Sequence, residues 1–100
     1  MKTANEITPT EVTHPGEFLA EEIVYRGLTK KYVAELMGLS PTVLSEIISG
    51  KRNITAITAI KLEHALEISA LYWLNLQTYY DYYTLKWSLE DAQTKRRKVA

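Results

Sequence analysis

The 100-residue sequence has no cysteine, which excludes a disulfide framework, a thiolate-ligated zinc or iron–sulfur centre, and thiol redox chemistry. That absence fits a reducing compartment, and a cytoplasmic location is expected. No apolar run approaches the roughly 18 residues needed to span a bilayer, and no basic start leads into an apolar leader segment. No membrane role is expected. Glycine and proline number only four and three. An excess of charge is also missing: twelve Lys and Arg are set against twelve Asp and Glu. Taken as a total, that balance argues against a nucleic-acid partner.

The placement of the charges argues the other way, because a local field and not the total attracts a polyanion. Residues 29–62 hold Lys30, Lys31, Lys51, Arg52 and Lys61 against Glu35 and Glu46, a net of +3. The preceding segment, with Glu6, Glu11, Glu17, Glu21 and Glu22 against Lys2 and Arg26, nets −3. Residues 63–94 net −4, and Lys95, Arg96, Arg97 and Lys98 close the chain at +4. The basic middle is the candidate for phosphate contact, while the basic end suits either an acidic partner or solvent.

A hydrophobic content of 46% lets one domain of this size bury a core without metal or cross-links. Residues 1–13 carry few large apolar side chains and are expected to form a flexible N-terminal arm. Pro15 then suits the first turn of a helix, with Phe18, Leu19 and Ile23 on its inner face and Gly27 after its end. Thr29 is an N-cap for a second helix reaching Met37, with Val33, Leu36 and Met37 inward. Gly38 and Leu39 make a very short turn to Ser40, a second N-cap followed by Pro41. In the third helix Leu44, Ile47 and Ile48 face inward, leaving Thr42, Ser45, Glu46 and Ser49 on the opposite face. Thr55 opens a fourth helix through Leu66, with Ala59, Leu62 and Leu66 inward. Ser69 caps a long fifth helix, about Ala70 to Lys86, rich in aromatic residues. The reading is all-α, with a helical domain over 14–87 and a basic tail over 88–100 that holds at most a further turn or two of helix.

Ala34, Gly38, Leu44 and Ile47 answer the separate steric demands of a helix-turn-helix: a small residue at the helix contact, a glycine at the turn and an apolar inner face. No catalytic residues are expected, since neither a nucleophile with a positioned base nor a converging carboxylate pair is legible. His14 and His64 lack the spacing of metal ligands, so neither a metal nor a cofactor is expected.

With these residues in place the chain resembles the Xre-type helix-turn-helix proteins, the lambda-repressor-like five-helix fold, and among them the HigA/VapI-like antitoxins. The resemblance covers about residues 14–85 and rests on three strings. They are His14-Pro15-Gly16-Glu17, the run from Leu39 to Arg52 followed by Ile54-Thr55, and Trp73-Leu74-Asn75-Leu76-Gln77 with Tyr80-Asp81. It implies an autorepressor that binds double-stranded operator DNA as a homodimer and neutralises a small ribonuclease-like toxin protein. It also implies base reading by Pro41, Thr42, Ser45 and Glu46, and phosphate contacts from Thr29, Lys30, Ser40, Lys51 and Arg52. Elementary chemistry agrees, since Thr42 suits a thymine methyl, Glu46 suits cytosine N4, and helix N-termini with cations suit phosphate. Lys30 stands where the family usually has Gln, and Glu67 where it usually has Gly. The other readings are a regulator of this type without a toxin, and a helical protein-interaction adaptor.

The fifth helix carries two aromatic stripes, Tyr72–Leu76–Tyr79–Tyr83 and Trp73–Tyr80–Trp87, more than one small domain can cover. One stripe is expected to close the core and the other to meet a second copy, making Tyr72, Trp73, Leu76, Tyr79, Tyr80 and Tyr83 candidates for a dimer interface. Which stripe does which is not fixed by the pattern.

Overall fold

The computed structural model describes the backbone of residues 12–99 and side chains as far as residue 93. Residues 1–11 of the expected arm, and the side chains of Lys95 to Lys98, lie outside that range. Among the described residues the elements are five helices: α1 (Pro15–Tyr25), α2 (Lys30–Met37), α3 (Pro41–Ile48), α4 (Ala56–Leu66) and α5 (Ala70–Val99). None of these helices is long and apolar enough to cross a membrane.

Each start is set by a side chain that satisfies an orphan backbone N–H. Thr29 Oγ1 accepts from the Tyr32 N–H at 3.1 Å, Ser40 Oγ from Val43 at 3.2 Å, and Thr55 Oγ1 from Thr58 at 3.3 Å. At α1 the cap is His14, whose Nδ1 accepts the Gly16 N–H at 2.9 Å. At α5, Ser69 Oγ accepts from Leu71 at 3.2 Å, and Glu63 reaches across from α4 to accept the Ala70 N–H at 2.9 Å.

α1 packs on α3 and α5, α2 on α3 and α4, and α4 on α5. The core is built from Leu19 and Ile23 of α1, Val33, Ala34 and Met37 of α2, Leu44 and Ile47 of α3, and Ala59, Leu62 and Leu66 of α4. Trp73 of α5 and Ile54 of the loop before α4 complete it.

Three expectations are corrected. Phe18 is 36% exposed and Leu36 44% exposed, so neither belongs to the core. Successive helical residues are about 100° apart, which puts Phe18 and Leu36 on the flanks of faces centred on Leu19–Ile23 and Val33–Met37. The apolar stripes are wider than the core they cover. The third correction is the length of α5, which runs past Lys86 to Val99 without a break. No glycine or proline follows Gly50, and the segment after Trp87 is made largely of strong helix formers such as Leu89, Glu90, Ala92 and Gln93. Its apolar periodicity fades while its helix propensity does not, so the expected basic tail over 88–100 continues the helix as far as Val99.

Candidate nucleic-acid interface

α2 and α3 are joined by only three residues, Gly38, Leu39 and Ser40. Gly38 adopts φ 66°, the left-handed conformation that lets the chain reverse direction without strain on a Cβ. Its N–H donates to the Glu35 carbonyl at 3.1 Å, and the Leu39 N–H donates to Ala34 at 2.9 Å, so the turn leaves both amides paired. Leu44 and Ile47, each 0% exposed, hold α3 against the core from behind. Pro41, Thr42 and Ser45 therefore stand exposed on its outer side, with Glu46 half-buried beside them. Thr42, Ser45 and Glu46, with exposed Ser49 just past the helix end, are the outward residues of the sequence pattern.

The sites assigned to phosphate lie at the starts of α2 and α3 and in the loop after α3. Thr29 and Ser40 are exposed, and each already uses an oxygen lone pair as a cap acceptor. The hydroxyl hydrogen of each remains able to donate outward, next to the N–H groups and positive dipole end of its helix. Lys30, Lys51 and Arg52 are exposed. The loop after α3 is bound to the helix by two N–H donors, from Lys51 at 2.9 Å and Arg52 at 3.1 Å, to the one carbonyl of Glu46.

Glu46 and Arg52, assigned to different tasks from sequence, are paired with each other. Glu46 Oε2 accepts from Arg52 Nε at 2.9 Å and from Nη2 at 2.7 Å. The two residues lie six apart with the helix end between them, so no helical spacing announces the pair.

Three supports of this surface were also missed. Gln77 of α5 is 5% exposed, and its Oε1 accepts the Ile54 N–H at 2.7 Å while its Nε2 donates to Asp81 at 2.9 Å. His14, 8% exposed, sits edge-on to Tyr80 at 5.0 Å between centroids, and its Nε2 lies 3.4 Å from Asn53 Oδ1. The basic loop is thus tied to α1 and α5 through His14, Asn53 and Gln77. His14-Pro15-Gly16 and the Gln77–Asp81 spacing were visible in the sequence, but their long-range partners were not.

The six dimer candidates divide. Trp73 is 1% exposed within the core, Leu76 packs half-buried against it, and Tyr80 faces His14, so these three serve the monomer. Tyr83 is 4% exposed and ringed by Tyr79, Tyr82 and Trp87, with centroids 4.7, 4.9 and 5.4 Å away. Desolvation raises its phenol pKa above the ordinary tyrosine value, with the neighbouring Tyr79 adding to the effect. Tyr72 and Tyr79 stay exposed, and so do Tyr82, Leu85 and Leu89, which the stripe pattern did not include.

A tightly turned pair of helices, the second showing a polar face backed by apolar residues and flanked by cap hydroxyls and cations, defines a helix-turn-helix module. A helix-turn-helix family profile matches residues 25–73. Virulence-associated protein I of Dichelobacter nodosus is 40% identical over 82 residues, 81% of this chain and 73% of that protein. The structure of an addiction module antidote protein of the HigA family from Coxiella burnetii superposes with a TM-score of 0.70 at 32% identity, covering 89% of this chain and 95% of that one. The Pseudomonas aeruginosa antitoxin HigA, solved with the higBA promoter, gives a TM-score of 0.74 at 28% identity, covering 85% and 92%. The chain belongs to the Xre-type helix-turn-helix family, and its structural neighbours are antitoxins of the HigA kind.

Proposed function

We propose that this protein is a sequence-specific operator-binding autorepressor and the antitoxin of a HigB/HigA-type toxin–antitoxin system. The observation that carries the reading is the exposed polar face of α3, Pro41, Thr42 and Ser45, flanked by the cap hydroxyls of Thr29 and Ser40 and by Lys51. α3 enters the major groove, where Thr42 meets a thymine methyl and Ser45 a base edge. Thr29, Lys30, Ser40 and Lys51 hold phosphates on either side and set the register. The similarity to an antitoxin HigA solved with the higBA promoter supports the DNA-binding and antitoxin roles.

The active unit is a homodimer on α5, because one α3 touches too few bases to specify an operator and a two-fold pair reads two half-sites. The toxin, a small ribonuclease-like protein, docks on a different face. α1 displays Glu17, Glu21 and Glu22, and a cleft between α1 and α5 is lined by Phe18, Glu21, Tyr25, Ile68 and Tyr72. Acidic groups around exposed aromatic rings suit a basic partner that also buries apolar surface.

The test pairs footprinting on the promoter of its own gene with co-expression of the adjacent reading frame. A protected palindrome and a co-purifying small basic protein are expected. Protection without a co-purifying partner would leave a regulator without a toxin, and a partner without protection would leave an adaptor.

A further inference from the structure

Glu46 and Arg52 are joined twice. The Glu46 carbonyl accepts the Arg52 backbone N–H at 3.1 Å, and one carboxylate oxygen takes both Nε and Nη2 of the guanidinium. Arginine carries five N–H donors in one plane. With the Nε edge occupied by Glu46, the end of the guanidinium, a fork made by Nη1 and the second hydrogen of Nη2, is unengaged by this pair. That fork is the geometry that matches O6 and N7 of guanine in the major groove. Glu46 belongs to the same side of α3 as Thr42 and Ser45, so the tether draws a loop cation onto the base-reading face.

We infer that Arg52 is a base-reading residue, specific for guanine, and that Glu46 is its positioning residue and not a base contact. The inference rests on the DNA-binding reading above and reverses the roles expected from sequence, where Glu46 accepted from cytosine and Arg52 held phosphate. A lone carboxylate carried toward the groove would be repelled by the phosphates on both sides, whereas a carboxylate paired with Arg52 approaches as a neutral unit. The tether also restricts a long side chain before DNA arrives, so less rotamer freedom is lost on binding. With the side-chain exposures of Arg52 and Glu46 at 51% and 36%, the pair contributes little to folding and stands where a duplex can reach it.

The experiment selects bound duplexes from random DNA with wild type, Glu46→Ala, Arg52→Ala, the double variant and Arg52→Lys. Salt dependence is measured for each, and thermal unfolding serves as the check on the fold. One guanine position in each half-site is expected to lose about tenfold discrimination in Glu46→Ala and in Arg52→Ala alike, the double variant losing no other position. Arg52→Lys keeps its charge and therefore its salt slope, yet loses the same guanine, because an ammonium cannot present the fork. Should an alanine variant lose helicity, Glu46→Gln and Arg52→Lys carry the same comparison. The inference is overturned if Glu46→Ala alters a position that Arg52→Ala preserves, if the double variant relaxes two positions, or if every variant returns the wild-type motif. A wild type that selects no motif would instead remove the DNA-binding reading on which the inference stands.

Discussion

Gln77 Oε1 and the Ile54 N–H form a 2.7 Å hydrogen bond that spans 23 positions and ties α5 to the loop leading out of α3. Ile54 is 3% exposed and Gln77 5%, so no solvent replaces the bond if it is lost. Replacing Gln77 with Leu leaves a buried donor without an acceptor and is expected to destabilise the fold by about 1–3 kcal/mol. Urea denaturation reads the loss, and amide exchange at Ile54 should accelerate. A change below about 0.5 kcal/mol would mean that the bond contributes nothing beyond an ordinary surface substitution.

The approach of α1 to α3 is set at Gly16. A Cβ built there overlaps the carbonyl oxygen of Ile47, which is backbone and cannot swing aside. At Gly27, by contrast, a Cβ meets nothing within 4 Å, and the only cost of a side chain is its φ of 68°. Gly16→Ala should therefore cost about 3 kcal/mol or more, near the upper end of overpacking, and Gly27→Ala only about 0.5–1 kcal/mol, the left-handed penalty less what the stiffer unfolded chain returns. Equal losses in the two variants, measured by chemical denaturation, would show that α1 shifts to make room.

Glu67 ends α4 at φ 59°, the one non-glycine residue with positive φ among those described. A side chain in that conformation costs about 1–2 kcal/mol, while glycine gives back about 0.4–1 kcal/mol through its more flexible unfolded chain. Glu67→Gly is expected to stabilise the protein by a net of about 0.5–1 kcal/mol. The denaturation midpoint should rise with the slope unchanged, and a fall would show that the Glu67 side chain makes a contribution of its own.

What the sequence made legible were features with local causes. Thr29, Ser40 and Thr55 are caps because a hydroxyl one residue before a helix has few better uses, and Gly38 turns because little else tolerates its φ. The α3 face followed from Leu44 and Ile47, since fixing the inward residues of a short helix fixes the outward ones. The features that stayed illegible depend on residues far apart or on competition between neighbours. His14 is an uncommon cap, identified only by the Gly16 N–H it accepts and by the Tyr80 ring beside it. Phe18 and Leu36 carry the right residue type at nearly the right phase, and only the width of the assembled core decides against them. The Glu46–Arg52 pair crosses a helix end, where the regular spacing that makes ion pairs predictable no longer applies.

Lys51 offers a test of the phosphate contacts separate from base reading. It is exposed in the loop that follows α3. Lys51→Ala should weaken binding to operator and unrelated DNA by the same factor and flatten the salt slope by about 0.9 for the lost contact. A change in the preferred motif, with the slope intact, would place Lys51 at a base edge.

The proposed homodimer would form on the apolar side chains that α5 leaves uncovered. Tyr82, Leu85 and Leu89 are 54%, 62% and 65% exposed and follow i, i+3 and i+7, one continuous row along the helix. Tyr79 extends the row toward the core at 43% exposure. Trp73 and Tyr80 are already engaged within the monomer, so a second copy would meet this row and not the indole-containing stripe. Isolated exposed leucines need no explanation, but a contiguous apolar row on a helix that reaches beyond the core is the usual mark of a partner. Leu85→Glu with Leu89→Glu should weaken self-association by about a hundredfold or more, since two like charges per chain would be desolvated against their twins. Neither residue touches the core cluster, so circular dichroism and the affinity for a single half-site should hold. Affinity for the full operator should fall, because two modules about 34–36 Å apart would no longer be held in register. Sedimentation equilibrium at micromolar concentration decides the matter: a wild type that is monomeric, or a doubly charged variant that dimerises as well as wild type, would remove this row from the interface.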